Sequence, residues 1–389
     1  METQSIIFTI FLIFTGAAVM STAVLYTRQS LLVAYILLGL LMGPWLLNWV
    51  GEIGQVKHVG EVGIIFLLFL LGLHLQPQNL LCMLQKVSLV AIVSSLIFLA
   101  MGFGICYGFG FSFTESLLVG SAIMFSSTII GLKLLPTTIL HHQHTGEMMI
   151  SVLLMQDIIA IILLIVVQGM GQQSITLPEI GLTIIALPVL VLVAFFFQRF
   201  ILVNLIRKFD RTQEYIFMLS IGWCLGMAQL GEWIGLSADI GAFVAGVALA
   251  ANPISLFIAE SLKPVRDFFL VMFFFAIGAA FDFSYIDKIW LPALLLSVAI
   301  MIVKPLVYAI LLRWIGEKQQ VATEVGVRLG QASEFTLFVG ALALSSQLIS
   351  AEANYLIQAA TLLTFIASSY WVVLRYPTPI AISDKMRQD

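Results

Sequence analysis

Charge is what this chain of 389 residues has least of. Its 18 Lys+Arg and 21 Asp+Glu make up 10% of the sequence, where an average soluble chain of that length carries roughly 95 such residues. Cysteine is nearly absent as well: Cys82, Cys106 and Cys224 all lie in apolar stretches. The first scarcity excludes a cytosolic enzyme and a nucleic-acid binder. The second excludes a secreted disulfide scaffold and shows no metal spacing, so the cysteines read as small buried hydrophobes. HExxH, GxSxG and paired transmembrane aspartates of protease type are missing, and no GxGxxG stands in a βαβ setting, so a hydrolase and a nucleotide-binding domain lack their residues. The net charge of −3 says nothing about polyanionic partners.

What the chain has is apolar surface. It is 61% hydrophobic with a mean hydropathy of +1.07, more than any soluble core uses. That leaves an integral membrane protein. Only helix bundles and closed barrels satisfy every backbone group in lipid. Barrel strands alternate apolar and polar over about ten residues, whereas this chain runs apolar for about twenty at a time, so it is helical. The first span lacks a basic leader, with Glu2 its only early charge, and does not read as a cleavable signal.

Thirteen spans are expected against the ~20 residues needed to cross: 5–25, 31–49, 57–75, 87–108, 114–135, 148–168, 177–198, 213–231, 235–251, 265–283, 288–313, 321–347 and 352–375. With the N-terminus outside and the C-terminus cytoplasmic, thirteen basic loop residues fall inside, against Lys57 and Lys288 outside, as the positive-inside rule requires. The basic loop Arg199–Arg211 divides the chain into a first repeat (1–170), a linker span with its loop (171–212), a second repeat (213–376) and a cytoplasmic tail (377–389). The odd linker span inverts the second repeat relative to the first, the geometry of inverted-repeat transporters. Matching interruptions support this. Span five carries Phe125-Ser126-Ser127-Thr128-Ile129-Ile130-Gly131, and span twelve carries Leu329-Gly330-Gln331-Ala332-Ser333-Glu334-Phe335. Broken helices expose backbone groups whose dipoles suit ions.

A few charges fall within or at the edge of spans. Asp157, about ten residues into span six, carries an ionisation penalty of at least ~2.5 kcal/mol at that depth. A carboxyl there holds either a proton or a hard monovalent cation, and competition between the two is the simplest antiport chemistry. Gln156 adds a neutral amide ligand. The bland alternative is a protonated Asp157 hydrogen-bonded to a neighbouring helix. Lys304, about sixteen residues into span eleven and followed by Pro305, either pairs with Asp157 or neutralises the negative ends of the half-helices; snorkelling is the third reading. Glu334 lines the site or makes a structural pair. Arg328 has Glu324 at i−4, which suggests an ion pair, and Lys133 snorkels at a span end. Asp239, with Ser237, caps span nine. His141, His142 and His144 cluster with Glu147 in the loop after span five. They read as a solvated loop, as a pH sensor, since histidine titrates near neutrality, or, least, as a metal site.

These residues carry a family resemblance. Phe125-Ser-Ser-Thr128, Val152-Leu-Leu-Met-Gln-Asp157, Gly241–Ala250, Leu270–Gly278, Lys304 and Leu329–Phe335 resemble the Kef-type potassium/proton antiporters of the monovalent cation:proton antiporter-2 family. The resemblance covers essentially the whole chain. Gly72-Leu73-His74-Leu75 resembles a further family segment in which Glu is usual at His74. The resemblance implies a sodium/proton antiporter-like fold in a homodimer. Its mobile core is spans four to six and eleven to thirteen with crossing broken helices, its scaffold holds the dimer interface, and the core moves as an elevator. It also implies a bacterial inner-membrane location. Asp157, Gln156, Ser127 and Thr128 would hold the monovalent cation, and Lys304, Gln331 and Glu334 would balance charge and helix dipoles in the core. The implied cargo is K+ or Na+ against H+, with no resident cofactor. Two departures stand out. The nucleotide-binding domain that the resemblance implies after the membrane part is not in these 389 residues, so the chain is expected to be either a short family member or a truncated one, with any cytoplasmic regulatory domain separate or removed. The segment Leu256–Lys263, acid-rich in the family, has Glu260 as its one acid, which argues against glutathione gating.

The expected function is therefore alternating access around Asp157 with one proton exchanged per cation, electroneutral because Gln156 is uncharged. The competing readings are a sodium-coupled symporter of a small organic anion and a gated K+ channel. No enzymatic activity is expected.

Overall fold

The structure, a computed structural model, describes residues 6–27, 29, 31–50, 53–74, 77–133, 144–171, 177–209, 212–236 and 238–377. In lipid, a backbone N–H or C=O without a partner costs several kcal/mol, so apolar runs must bond within themselves, and the described residues form α-helices. These are α1 (Ile6–Tyr26), α2 (Leu31–Met42), α3 (Ile53–His74), α4 (Pro77–Gly108), α5 (Phe113–Ile123), α6 (Thr128–Lys133), α7 (His144–Gly171), α8 (Leu177–Phe197), α9 (Val203–Lys208), α10 (Gln213–Trp233), α11 (Ala238–Ala250), α12 (Ile254–Ala279), α13 (Ile286–Trp314), α14 (Gln319–Arg328), α15 (Glu334–Ser345) and α16 (Ala351–Arg375). A π-turn at Gln198–Leu202 carries α8 into α9.

Among the described residues, seven helical stretches are long and apolar enough to cross a membrane by length and composition, and four shorter apolar helices accompany them. Each of the thirteen expected segments coincides with helix. Segments 114–135 and 321–347 each contain two helices separated by a break, at 124–127 and 329–333. Segment 31–49 is helical only to Met42.

The chain divides into two units. One comprises 1–17, 35–81 and 173–280; the other comprises 18–34, 82–172 and 281–389. In the first, α3 lies against α11 and α12, and α11 lies against α10. Close approach depends on glycine: a Cβ on Gly72 would stand 2.5 Å from the Phe243 carbonyl and 2.9 Å from the Gly246 Cα. Small residues at such crossings let helix backbones touch, where packing replaces the hydrophobic effect as the force between helices. Trp223 Nε1 donates to the Ala245 carbonyl at 3.1 Å across the α10–α11 contact. Asp239 stands at the second position of α11; its side chain, and those of His74, Cys82 and Lys133, lie outside the described residues.

The second unit contains α4 from residue 82 on, α5 to α7 and α13 to α16, together with residues 18–34. Its apolar centre joins Val119 and Ile123 of α5, Leu164 of α7, Leu296 and Ile300 of α13, Val339 of α15 and Leu356 of α16. One carboxylate caps two of these helices. Ser112 and Glu115 form a capping box at the start of α5, and Glu115 Oε1 also accepts from the backbone N–H of Ser350 at 3.0 Å. Ser350 is itself the N-cap of α16.

Candidate functional site

The two breaks create four helix ends, and their orphan groups need partners. The structure supplies them by crossing one broken helix over the other. α5 ends at Ile123, and three backbone oxygens of its last turn and the break are taken by side chains from elsewhere in the unit: Phe125 O by Lys304 Nζ at 2.6 Å, Met124 O by Gln156 Nε2 at 3.2 Å, and Ala122 O by Thr336 Oγ1 at 2.8 Å. Past α14, Leu329 O accepts from Ser126 Oγ at 2.8 Å and Gln331 O from Lys304 Nζ at 3.1 Å. The starts of the second halves are capped locally. Ser127 Oγ accepts from Ile130 N at 3.0 Å, and Ser333 Oγ accepts from Phe335 N at 3.1 Å. Ala332 N finds Thr364 Oγ1 at 3.2 Å, and Ser368 Oγ donates to Gln331 Oε1 at 3.0 Å.

Lys304 is 0% exposed and serves both breaks with one ammonium. Its Nζ also sits 5.2 Å from the centre of the Phe98 ring, a cation–π contact. Of the roles left open by sequence, this selects neutralisation of the half-helix ends. Full burial rules out snorkelling, and among the described residues no ion pair joins Lys304 to Asp157. Its reach depends on Gly326 and Gly330, where a Cβ would meet Pro305 O at 2.6 Å and Pro305 Cγ at 2.8 Å. The first broken helix and α13 are thereby drawn onto the second.

Gln156 also holds the break. Its Oε1 accepts from Ser126 N at 3.1 Å, and its Nε2 donates to Tyr308 OH at 2.6 Å as well as to Met124 O. Ser126 Oγ lies 3.3 Å from Tyr308 OH. Gln156 is therefore a strut whose oxygen keeps one free lone pair, rather than a ligand alone. Asp157, the next residue, contrasts with it. It is 4% exposed, yet among the described residues it makes no hydrogen bond and no ion pair. The ionisable group whose charge reaches it is Glu334, at the first position of α15 and equally buried. Two carboxylates interacting in a dry interior repel when both are ionised, and a proton or a cation relieves that repulsion. Thr128 Oγ1, on the half-helix whose entry Gln156 holds, is buried with no hydrogen-bond partner among the described residues. Asp157 and Thr128 Oγ1 are thus left without a hydrogen bond among the described residues, the charge of Glu334 reaches Asp157, and Ser127, Gln331 and Lys304 bond within the frame of the breaks.

His141 and His142 lie outside the described residues. His144 opens α7 rather than standing in a loop, and its Nε2 pairs with Glu317 Oε2 at 2.8 Å, tying the Asp157 helix to the turn before α14. Arg328 makes the expected pair with Glu324 at 2.9 Å. Among the described residues no three His, Cys, Asp or Glu groups gather as a metal site. Ser126, Tyr308 and Thr336 were not singled out from sequence. Tyr308 stands at i+4 from Lys304, one turn along the same face, a signal that could have found it.

A polytopic helical membrane protein with two interrupted helices crossing over a buried lysine and an uncompensated buried carboxyl belongs to the class of secondary ion transporters. The comparisons then specify it: residues 9–374 match the family of the transmembrane sodium/hydrogen exchanger, and the chain belongs to that family, one of cation/proton antiporters rather than enzymes. The iron transporter MagA of Paramagnetospirillum magneticum is 25% identical over 350 residues, 89% of this chain and 80% of that protein. The glutathione-regulated potassium-efflux system protein KefC of Cronobacter sakazakii is 27% identical over 379 residues, 96% of this chain but 61% of that protein; the chain thus spans about three fifths of this relative. The sodium proton antiporter MjNhaP1 from Methanocaldococcus jannaschii shares the fold, with a TM-score of 0.67 over 95% of this chain and 96% of that one at 16% identity.

Proposed function

We propose that this chain exchanges a monovalent cation, K+ with Na+ as the competing cargo, for a proton bound competitively at Asp157. One observation carries the reading: a carboxyl only 4% exposed, with neither hydrogen bond nor ion pair among the described residues, next in sequence to the Gln156 that braces the first helix break. An ionised Asp157 cannot cross an apolar barrier alone, because the charge costs at least ~2.5 kcal/mol there. Proton or cation neutralises it, and transport is obligatory exchange for that reason. Glu334 adds negative potential that favours either occupant.

The cross-tied breaks favour movement of the second unit as one elevator-like body, since bending it would break the Lys304 and Gln156 bonds. Exchange of one proton per cation is electroneutral on this scheme. The inverted-repeat division at the Arg199–Arg211 loop, a homodimer, an inner-membrane location and an N-terminus outside complete the proposal. K+ is favoured over iron as cargo by the oxygen-only character of Asp157 and Thr128 and by the absence, among the described residues, of a His, Cys, Asp and Glu cluster that would hold a metal ion.

The test is internal pH in proteoliposomes on separate addition of K+, Na+, Li+ and Rb+. Cation-dependent proton movement supports exchange and ranks selectivity. A rate that follows membrane potential would refute the electroneutral form. Solute-dependent sodium flux, or turnover at channel rates, would replace antiport by one of the competing readings.

A further inference from the structure

Arg328 is 1% exposed, an arginine buried where the second broken helix stops. Its Nε and Nη2 both donate to Glu324 Oε1, each at 2.9 Å. An i,i+4 pair of this kind is worth only about 0.3–0.5 kcal/mol at a surface, which does not explain burying a guanidinium. The remaining contacts do. Nη2 also donates to the carbonyl of Pro377 at 2.9 Å, and the guanidinium lies 5.4 Å from the centre of the Tyr376 ring. Both residues belong to the chain leaving α16: Tyr376 bonds back to Val372 O, and its backbone is already extended.

We propose that Arg328 is a positioning residue for the cation site, strapping Tyr376 and Pro377 onto the end of α14 and so fixing the break that follows. The next residue, Leu329, offers the carbonyl on which Ser126 Oγ rests, and Ser126 N in turn donates to Gln156, the neighbour of Asp157. Pro377 and Gln156 are thus joined by three hydrogen bonds and one peptide unit. The planar fork of arginine serves this geometry because it holds a carboxylate and a carbonyl at once while stacking on a ring; a lysine does not. The inference rests on the antiport reading for the identity of the site, but not for the strap itself.

Arg328→Gln should raise the half-saturating cation concentration roughly 2- to 30-fold with a smaller change in maximal rate, and should speed amide hydrogen exchange at 329–333 in the purified full chain. The double variant Glu324→Gln with Arg328→Gln tests the simpler account. An arginine present only to neutralise Glu324 is dispensable once Glu324 is neutral, so wild-type half-saturation in the double variant overturns the proposal, and persistent displacement supports it. Tyr376→Ala leaves the ion pair intact and should reproduce part of both effects, whereas Tyr376→Phe should not. If Arg328→Gln fails to fold, Tyr376→Ala decides, and wild-type behaviour there overturns the strap. Amide exchange needs no transported ion. Wild-type vesicles that move no protons would therefore end the antiport reading while the strap is still judged.

Discussion

The ammonium of Lys304 lies 2.6 Å from the carbonyl oxygen of Phe125, a residue 179 positions earlier in the chain, and 3.1 Å from that of Gln331. One side chain thus closes the two helix breaks on each other. Lysine suits the place because its ammonium is a compact charge with three donors on a flexible stem, and the carbonyls past a helix end carry the negative pole of the dipole.

Replacing Lys304 by Gln or Met should therefore act first on stability. Two buried carbonyls lose their donor, at about 1–3 kcal/mol each, so the variant should melt measurably lower in a thermal-shift assay in detergent. Lys304→Arg should not rescue it, since the larger planar fork has to fit where the compact ammonium now sits, 5.2 Å from the centre of the Phe98 ring. A Lys304→Met protein with wild-type melting would show that the breaks are held by other bonds.

Asp157→Asn should behave in the opposite way. Asp157 makes no hydrogen bond or ion pair among the described residues, so its amide variant should melt near the wild type or above it, relieved of the charge that Glu334 opposes. Cation-dependent proton movement should be lost. Glu334→Gln removes negative potential without removing the binding carboxyl, and should raise the half-saturating cation concentration while exchange persists. Wild-type exchange in Asp157→Asn would refute the central assignment.

Gly326→Ala and Gly330→Ala test the closeness of α13 to the second broken helix. The new methyl would meet the Pro305 carbonyl oxygen at 2.6 Å in the first case and its ring Cγ at 2.8 Å in the second. Overpacking of this kind costs about 1–3 kcal/mol. Gly326→Ala should cost more, because backbone is harder to displace. Both should loosen the Lys304–Gln331 bond, which faster amide exchange across 329–333 would report.

Apolar run length announces helices, and the run Phe125–Thr128 and its counterpart Leu329–Phe335 announce where two of them stop. Asp157 and Lys304 stand out in the sequence because nothing cheap explains a charge at that depth. What cannot be read there is who satisfies whom. Ser126 looks like one polar residue among three, yet its partner is the carbonyl of Leu329, 203 residues away. Lys304 bonds to carbonyls, which leave no residue-type signature, so sequence reasoning offers the half-helix ends and Asp157 side by side without choosing. His144 reads as a loop histidine because the other half of its pair, Glu317, belongs to a distant turn. Long-range pairing to backbone is set by how the helices cross, and crossing is not encoded in local pattern.

Gln156 is the residue whose role changes most between sequence and structure, and a double-mutant cycle measures the change. Its amide bridges Ser126 N and Met124 O on the first break and Tyr308 OH on α13. If it were only a cation ligand, Gln156→Leu and Tyr308→Phe would act independently, and their effects on melting would add. As a strut it shares one bond with Tyr308, so the two losses overlap. Each single variant should destabilise, and the double variant should lose less than their sum, with an interaction energy of about 0.5–3 kcal/mol, the range for contacting residues in one network. Additivity within about 0.5 kcal/mol, the range for independent sites, would return Gln156 to the role of ligand. The cycle bears on selectivity too. A strut alters the cation's surroundings by moving the break that carries Thr128, so Tyr308→Phe, whose hydroxyl bonds to Gln156 and Ser126 and not to Asp157 or Thr128, should shift the ratio of K+ to Na+ exchange in the same direction as Gln156→Leu.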